Sequence, residues 1–271
     1  MIRRGIGVQS FVSAGVSTDA DAQAFITAAG ITDATQQSAI NTLVTDLKTY
    51  GIWTKMKAVY PFVGGPSSTH KWNLINPVDS NAAYRLIFSG GWTHSSTGAL
   101  PNGTNGYADT FLASSTLTSS STHLSFYSRT DTASPAMFEM GVANFGTNKR
   151  FTLNIRYADS FGIQSGNAAS GLSITNTNSS GFYTGTRTST TAIEIYKNGI
   201  SQASNTISDT TTLDTNSVWI GAIQNVGNLS TAYYSNRECA FASIGDGLTD
   251  TEAANLYTAV QAYQTTLSRN V

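Results

Sequence analysis

Residues that support redox chemistry are scarce in this chain. One cysteine, Cys239, stands among 271 residues, so no intramolecular disulfide can form and no thiol cluster can hold a metal. Cys239 lies in a strand-like run beside Ala240 and Phe241, and we interpret it as a small buried hydrophobic side chain. A chain without disulfides fits assembly in a reducing cytoplasm.

Charge is scarce as well. Charged residues make up 11% of the chain, against about 25% in ordinary soluble proteins, and 15 basic and 16 acidic side chains give a net charge of −1. Nucleic-acid binding needs a clustered positive face, which the pairs Arg3-Arg4 and Lys149-Arg150 do not supply. No uninterrupted apolar run reaches the roughly 18 residues of a membrane helix. We therefore predict neither nucleic-acid binding nor membrane insertion.

Catalytic patterns are missing too. Glycosidases place two carboxylates on either side of the glycosidic bond, whereas Glu139 and Glu194 stand alone in strand-like runs and are expected to face solvent. No G-x-S-x-G turn accompanies His70, His94 or His123, and we expect these histidines at the surface or in loops. The sequence predicts a protein that is not an enzyme and has no catalytic residues.

Carboxylates that could hold calcium occur in loop-like segments, but their spacing matches no calcium-binding loop. They are Asp109, Asp131, Asp159, Asp209 and Asp214. Aspartates in such segments more often close turns by accepting hydrogen bonds from nearby backbone. We therefore predict no metal site and no cofactor, and a structural calcium ion is left without support.

Residues 1–53 are predicted to form an arm and a helical hairpin. Met1–Ser17 has neither a helical nor an alternating period, which is typical of an extended arm. Asp19–Ala29 is predicted as one helix, and a second begins at Asp33 and ends at Gly51. The hairpin has one apolar stripe, which needs cover from the rest of the chain or from a neighbouring subunit. We predict that this segment serves anchoring and assembly.

Residues 54–271 are predicted to form a β-sandwich. Short runs are broken by Gly, Asn, Ser and Pro, and Phe151, Leu153 and Ile155 alternate with polar neighbours, which is typical of a half-buried strand. Asn198-Gly199 lies between two such runs and predicts a two-residue hairpin turn. The predicted fold class is mainly β, an antiparallel β-sandwich with N-terminal helices and a C-terminal helix.

The last third of the chain carries an ordered set of motifs. Thr249 and Glu252 have the spacing of a capping box, which predicts the start of a helix over Asp250–Ser268. The full set is Tyr196, Asn198-Gly199, Ile220-Gly221, Gly247, Leu248, Thr249, Asp250, Glu252, Leu256 and Tyr257. In order and spacing it resembles the end of laminin-G-like domains, which belong to the concanavalin A-like lectin and glucanase jelly rolls.

This resemblance implies a jelly-roll fold and a first hypothesis for function. Such domains are common in structural proteins of tailed bacteriophages, whose Ser/Thr/Asn/Gly-rich composition this chain shares. The first hypothesis is a virion protein assembled in the host cytoplasm: a capsid decoration, head-fibre or tail-associated subunit. Residues 1–53 would contact other virion proteins, and self-association is expected, as a trimer by analogy with fibres.

The second hypothesis is a carbohydrate-binding module that recognises a host-surface or mucosal polysaccharide. Sugars stack on exposed aromatic rings and hydrogen-bond to amides and hydroxyls. The predicted glycan contacts are aromatic residues in Gly/Ser/Asn-rich segments expected to be loops: Trp92, Tyr107, Tyr183, Tyr233 and Tyr234. The same composition suits loops packed against a neighbouring capsid subunit, and single aromatics in turns often cap a core. A polysaccharide-degrading enzyme is the third hypothesis.

Overall fold

The computed structural model describes residues 18–133, 137–227 and 233–271, so the predicted arm Met1–Ser17 lies outside the described residues. The helices are α1 (Ala20–Ala29), α2 (Ala34–Thr49), α3 (Ser67–His70) and α4 (Asp250–Thr266). The strands are β1 (Met56–Tyr60), β2 (Ile87–Ser89), β3 (Trp92–Ser95), β4 (Gly98–Pro101), β5 (Tyr107–Ala113), β6 (Thr122–Ser128), β7 (Met140–Asn144), β8 (Lys149–Tyr157), β9 (Ser160–Asn167), β10 (Leu172–Thr175), β11 (Gly181–Arg187), β12 (Ile193–Lys197), β13 (Ile200–Asn205), β14 (Ser217–Ile220), β15 (Ile223–Val226) and β16 (Cys239–Gly245).

The described strands form two sheets of eight. Sheet A has the order β13-β12-β11-β6-β16-β4-β3, with β1 also paired to β16, and sheet B has the order β10-β9-β8-β7-β14-β5-β2, with β15 also paired to β7. The pairs are antiparallel, apart from β15 with β7, which is parallel. The predicted fold class, a mainly β sandwich with N-terminal helices and a C-terminal helix, is confirmed.

The inner faces of the two sheets supply one apolar core. Phe151, Leu153 and Ile155 of β8 point into it, and Leu124 and Phe126 of β6 enter from sheet A. Successive side chains of a strand point to opposite faces, so the even-numbered residues of β8 lie on the outer face of sheet B. The alternation seen in the sequence therefore separates core from surface correctly in this strand.

Helix α4 lies on the outer face of sheet A, and the helical hairpin packs against α4. The apolar cluster there joins α2, α4 and sheet A, and includes Leu43, Leu47, Tyr127, Phe182, Phe241, Leu256 and Val260. The sequence left open whether the rest of the chain or a neighbouring subunit covers the apolar stripe of the hairpin. In the structure the hairpin shares one apolar cluster with α4 and the sandwich. The domain boundary between residues 53 and 54 stays a prediction. Among the described residues no helix is both long enough and apolar enough to cross a membrane.

Two local signals have the predicted geometry. Glu252 N–H donates to Thr249 Oγ1 at 3.4 Å, and Thr249 N–H donates to Glu252 Oε2 at 2.8 Å, which completes the capping box of α4. Asn198 and Gly199 have φ of 51° and 71° and join β12 to β13. These positive angles are the ones that favour Asn-Gly in a two-residue hairpin.

Three polar residues lie deeper than the sequence predicted. Glu139, expected to face solvent, is fully buried and ion-paired with Arg237. His70 and His123, expected at the surface or in loops, are buried as well. Local patterning misses them because their partners come from distant parts of the chain. Cys239 is buried, as predicted.

Candidate functional site

The outer face of sheet B carries a groove that runs across several strands. One part, of about 270 Å³, lies over β8, β9 and β10, and a second part, of about 160 Å³, lies beside it over β7 and β8. Phe138, Tyr157 and Gln164 line both parts, so we treat them as one site and name it the sheet B groove. A more open space of about 570 Å³ continues from it past Phe145 and Tyr233.

Three aromatic rings form a cluster in the sheet B groove. The ring centroids of Phe138 and Tyr157 are 5.3 Å apart, those of Phe138 and Tyr233 are 5.7 Å apart, and those of Tyr157 and Tyr233 are 6.1 Å apart. The backbone N–H of Phe138 donates to the carbonyl oxygen of Tyr233 at 3.1 Å. Each ring is half-buried, so the cluster is held by its own edge contacts and still presents ring surface to the groove.

A buried ion pair joins the two segments that carry this cluster. Arg237 Nη1 donates to Glu139 Oε1 at 2.5 Å, and Glu139 Oε2 accepts from the Ile155 N–H at 2.7 Å. Arg237 Nη2 also donates to the carbonyl oxygens of Thr132 at 2.7 Å and Arg156 at 3.0 Å. Burial raises the pKa of the Glu139 carboxyl, while the Arg237 charge and the Ile155 N–H act against that rise.

Two amide side chains are held in fixed orientations at the groove. Asn154 Nδ2 donates to the Ser160 carbonyl at 2.6 Å, and Gln164 Nε2 donates to the Ala168 carbonyl at 3.0 Å. Gln164 Oε1 accepts from Thr152 Oγ1 at 3.3 Å. Groups fixed in this way can pair with ligand hydroxyls without first losing rotational freedom.

A glycine on β9, Gly162, lines the groove beside these amides. A Cβ atom added at Gly162 would stand 2.7 Å from the Leu172 carbonyl oxygen and 2.8 Å from Ser173 Cβ. A larger residue would therefore force β9 and β10 apart. Gly162 therefore lets β10 approach β9 closely along the groove.

Arg150 is the charged residue among the described lining of the groove. Its guanidinium carbon lies 3.7 Å from the ring centroid of Phe145, which is 46% exposed. Burial lowers the pKa of the Arg150 guanidinium. The site thus combines aromatic surface, oriented amides and one cation.

The predicted glycan contacts do not gather at one place. Tyr233 lines the groove. Tyr107 stacks on Trp219 with centroids 3.8 Å apart, and Tyr234 packs against that pair. Trp92 lies in β3, where its indole N–H donates to the carbonyls of Ser89 at 3.1 Å and Tyr107 at 3.2 Å.

Three of the five were expected in loops but lie in strands: Trp92 in β3, Tyr107 in β5 and Tyr183 in β11. Tyr183 departs furthest from its prediction. It was expected in a loop, but it lies in β11, and its side chain is fully buried inside the sandwich. Its hydroxyl donates to the Asn178 carbonyl oxygen. A ring enclosed by both sheets cannot stack on a sugar.

Sequence reasoning missed most of the sheet B groove, namely Phe138, Arg150, Asn154, Tyr157 and Gln164. The available signal was the alternation in β8, which assigned its polar residues to the solvent-facing side of the sheet. That signal could not show which residues of β9 or of the 233–237 segment lie beside them, because neighbours across a sheet are set by long-range pairing.

The aspartates considered as calcium ligands already have partners, either backbone N–H groups or an arginine. Asp209 accepts from the backbone N–H groups of Asn167 at 2.6 Å and Thr211 at 2.7 Å. Asp109 accepts from the Phe111 N–H at 2.8 Å. Asp131 and Asp159 bond to Arg156, and Asp214 bonds to the Asn216 amide. Residues 18–133, 137–227 and 233–271 contain no group of three metal-ligating side chains.

No protein-family model matches the chain, and no curated protein sequence matches it. Among solved structures it is similar to botulinum neurotoxin type C, at 14% identity and a TM-score of 0.52, over 79% of this chain and 53% of that one. It is also similar to the sialidase of Trypanosoma rangeli, at 10% identity and a TM-score of 0.50, over 82% of this chain and 39% of that one. Domain 4 of an arabinanase from Geobacillus stearothermophilus matches at 15% identity and a TM-score of 0.48, over 74% of this chain and 98% of that one.

At these identities the likeness to the neurotoxin and the sialidase shows a shared fold. This chain spans about half of the neurotoxin chain and 39% of the sialidase chain. The β-sandwich is therefore supported by the strand pairing and by known structures. Membership of the laminin-G-like family and a viral origin stay predictions.

Proposed function

We propose that the sheet B groove binds a glycan and that the protein is a non-catalytic carbohydrate-binding β-sandwich. The observation that carries this proposal is the cluster of Phe138, Tyr157 and Tyr233 beside the oriented amides of Asn154 and Gln164. Sugar rings present C–H faces that stack on aromatic surface and hydroxyls that pair with amides. The groove is open rather than enclosed, which suits a chain of sugars better than a small molecule.

The structural neighbours support this proposal. Cell entry of botulinum neurotoxin type C is described as dependent on interaction with two ganglioside molecules. The Trypanosoma rangeli sialidase is described in complex with a difluorinated nononic acid. Each of these two proteins is thus described with a sugar-containing or sugar-derived molecule, and we extend glycan recognition to this chain as a proposal.

We propose binding without catalysis because of where the carboxylates lie. Most glycoside hydrolases use two carboxyl groups about 5–10 Å apart across the scissile bond. The described residues that line the groove include no carboxylate, and Glu139 is occupied by Arg237 beneath it. Purified protein should release no reducing ends from polysaccharides that it binds. Steady release would reject the non-catalytic assignment.

Binding can be tested with variants of the groove. Tyr157→Ala and Gln164→Ala should each weaken retention on the polysaccharide that the protein binds best, measured by affinity electrophoresis. One stacked ring contributes on the order of tenfold in affinity. Tyr50→Ala is the matched control, since Tyr50 is a half-buried tyrosine that packs on the helical side of the molecule. Equal loss in all three variants, or no loss in any, would reject the groove as the site.

A place on a virus particle is a second proposal, favoured by the position of the groove. The hairpin and α4 lie on the outer side of sheet A, whereas the groove lies on the outer face of sheet B. A particle that held the protein through residues 1–53 would therefore display the groove outward. We propose a decoration, head-fibre or tail-associated role, with virion proteins as partners and self-association, as a trimer by analogy with fibres.

Immunogold microscopy tests this second proposal. Antibody against the whole protein should label the heads or the tails of particles from the virus that encodes the chain. Unlabelled particles, with the protein free in the lysate, would reject a virion location and leave glycan binding unaffected.

A further inference from the structure

Arg150 differs from the other arginines of the described chain. Arg85, Arg129, Arg156 and Arg237 are ion-paired with aspartate or glutamate. Arg187 and Arg269 donate to backbone carbonyls. Within the described residues Arg150 has neither kind of partner, and its Nη1 atom is shielded from solvent with no hydrogen-bond acceptor.

The surroundings of Arg150 make the absence of a hydrogen-bond acceptor energetically costly. The guanidinium is half-buried among Phe145, Tyr233 and Ile223 in the part of the groove of about 160 Å³. Arginine stays protonated under all ordinary conditions, so it cannot lose its charge to relieve the burial. A half-desolvated cation against apolar walls is stabilised when an anion enters beside it.

The geometry indicates which kind of anion fits. Phe145 covers one face of the guanidinium, with Cζ 3.7 Å from the ring centroid. The N–H groups donate within the guanidinium plane, so an acceptor that pairs with them must approach edge-on. A carboxylate is planar and can accept two parallel hydrogen bonds from such an edge.

One cation in the site favours a single negative charge. The adjacent Lys149 does not line the groove, and its ammonium donates to Thr212 Oγ1 at 2.9 Å. We propose that the sheet B groove selects glycans that carry a carboxylate, as uronic and sialic acids do, and that Arg150 binds this carboxylate. The inference rests on the proposed function, since it names the ligand class of the same groove.

The aromatic cluster and Arg150 then have separate tasks. Tyr157 and Tyr233 would stack on sugar rings of any charge, while Arg150 would distinguish an acidic sugar from its neutral counterpart. Carboxylate and neutral sugars of otherwise identical structure should therefore differ in affinity through Arg150 alone. This separation makes the inference testable apart from glycan binding itself.

The experiment uses the full chain and two matched ligand pairs, with calorimetry as the readout. The pairs are polygalacturonate with its carboxyl-reduced form, and sialyllactose with its carboxyl-reduced form. The wild-type protein should bind one acidic member at least about tenfold more tightly than its neutral partner, and this preference should weaken with added salt. Arg150→Gln should abolish the preference, and Arg150→Lys should keep part of it, because lysine retains the charge without the fork.

Lys149→Gln is the matched control, since it removes a neighbouring positive charge outside the groove and should leave the preference intact. Thermal unfolding of each variant checks that the fold is retained. Equal binding of acidic and neutral members, or a preference that survives in Arg150→Gln, would overturn the inference while glycan binding stands. Equal binding of a sulfated dextran would overturn the assignment of a carboxylate. Absence of binding to every glycan tried would overturn the proposed function as well.

Discussion

At the scale of single residues, the ion pair of Glu139 and Arg237 shows how a buried charge supports a surface site. Both side chains are fully buried, and they connect β7, β8 and the segment that carries Tyr233. Taking two charges out of water is costly, and their attraction and hydrogen bonds must offset that cost. The pair therefore contributes more to the position of the aromatic cluster than to net stability.

Removal of one partner of this pair should be strongly destabilising. Glu139→Gln leaves the Arg237 cation buried without a counter-charge, and we expect a loss of about 3–5 kcal/mol in the free energy of unfolding. Urea denaturation measures it. Glu194→Gln, at a half-buried carboxylate, should change stability by less than about 1 kcal/mol. A double variant, Glu139→Met with Arg237→Met, should lose less than Glu139→Gln, and a larger loss would contradict this account.

His123 predicts a pH dependence of stability. Its Nδ1–H donates to the Asp246 carbonyl oxygen at 2.7 Å, and Nε2 accepts from Ser243 Oγ at 2.9 Å. Burial lowers its pKa from 6.5 to about 4. The unfolded chain therefore binds a proton more readily than the folded one between these values, so stability is fully present above pH 6.5 and falls as the pH drops towards 4.

The expected loss from His123 is about 1.4 kcal/mol per pH unit within this window. His70, whose pKa burial lowers to about 3, adds to the loss. Urea denaturation from pH 7 to pH 4 measures it, and His123→Gln should give a shallower slope than the wild-type protein. An identical slope in this variant would exclude His123 as a source.

At the scale of elements, local signals decide where helices and hairpins begin. Thr249→Ala removes the side chain that caps α4 and should cost about 1 kcal/mol. Thr258→Ala is the control, because Thr258 lies inside the same helix and bonds only to the Ala254 carbonyl; it should be neutral or slightly stabilising. Chemical denaturation separates the two, and equal effects would contradict the capping role.

At the scale of the whole molecule, the helical hairpin and the sandwich share one apolar cluster. Deletion of residues 1–51 would remove α1 and α2 from this cluster, including Leu43 and Leu47, and would uncover the side of α4 against which α2 packs. We expect this truncated protein to aggregate, because a contiguous apolar surface of that kind is normally covered. Deletion of residues 1–17 should leave a soluble protein. Light scattering compares the two truncated proteins. A monodisperse product of the 1–51 deletion would show that the sandwich and α4 do not need the helical hairpin to stay soluble.

The sequence predicted more of the fold than of the groove, and the reason is physical. Alternation in β8 and the Asn198-Gly199 turn predicted a β-sandwich, since both depend on residues a few positions apart. The groove was predicted only through Tyr233, because Phe138 and Tyr157 join it by contacts between segments far apart in the chain. Tyr183 and Tyr233 have similar neighbours in sequence, yet one is enclosed between the sheets and the other lines a groove.

The sequence by itself determined helices α1, α2 and α4, the hairpin of β12 and β13, the buried thiol of Cys239 and the scarcity of charge. These follow from composition, side-chain period and capping, which act within a few residues. Only the tertiary structure decided the burial of Glu139 and the place of Arg150 in an aromatic groove. The order and register of strands bring such residues together, and they are set by the burial of a whole face rather than by any local preference.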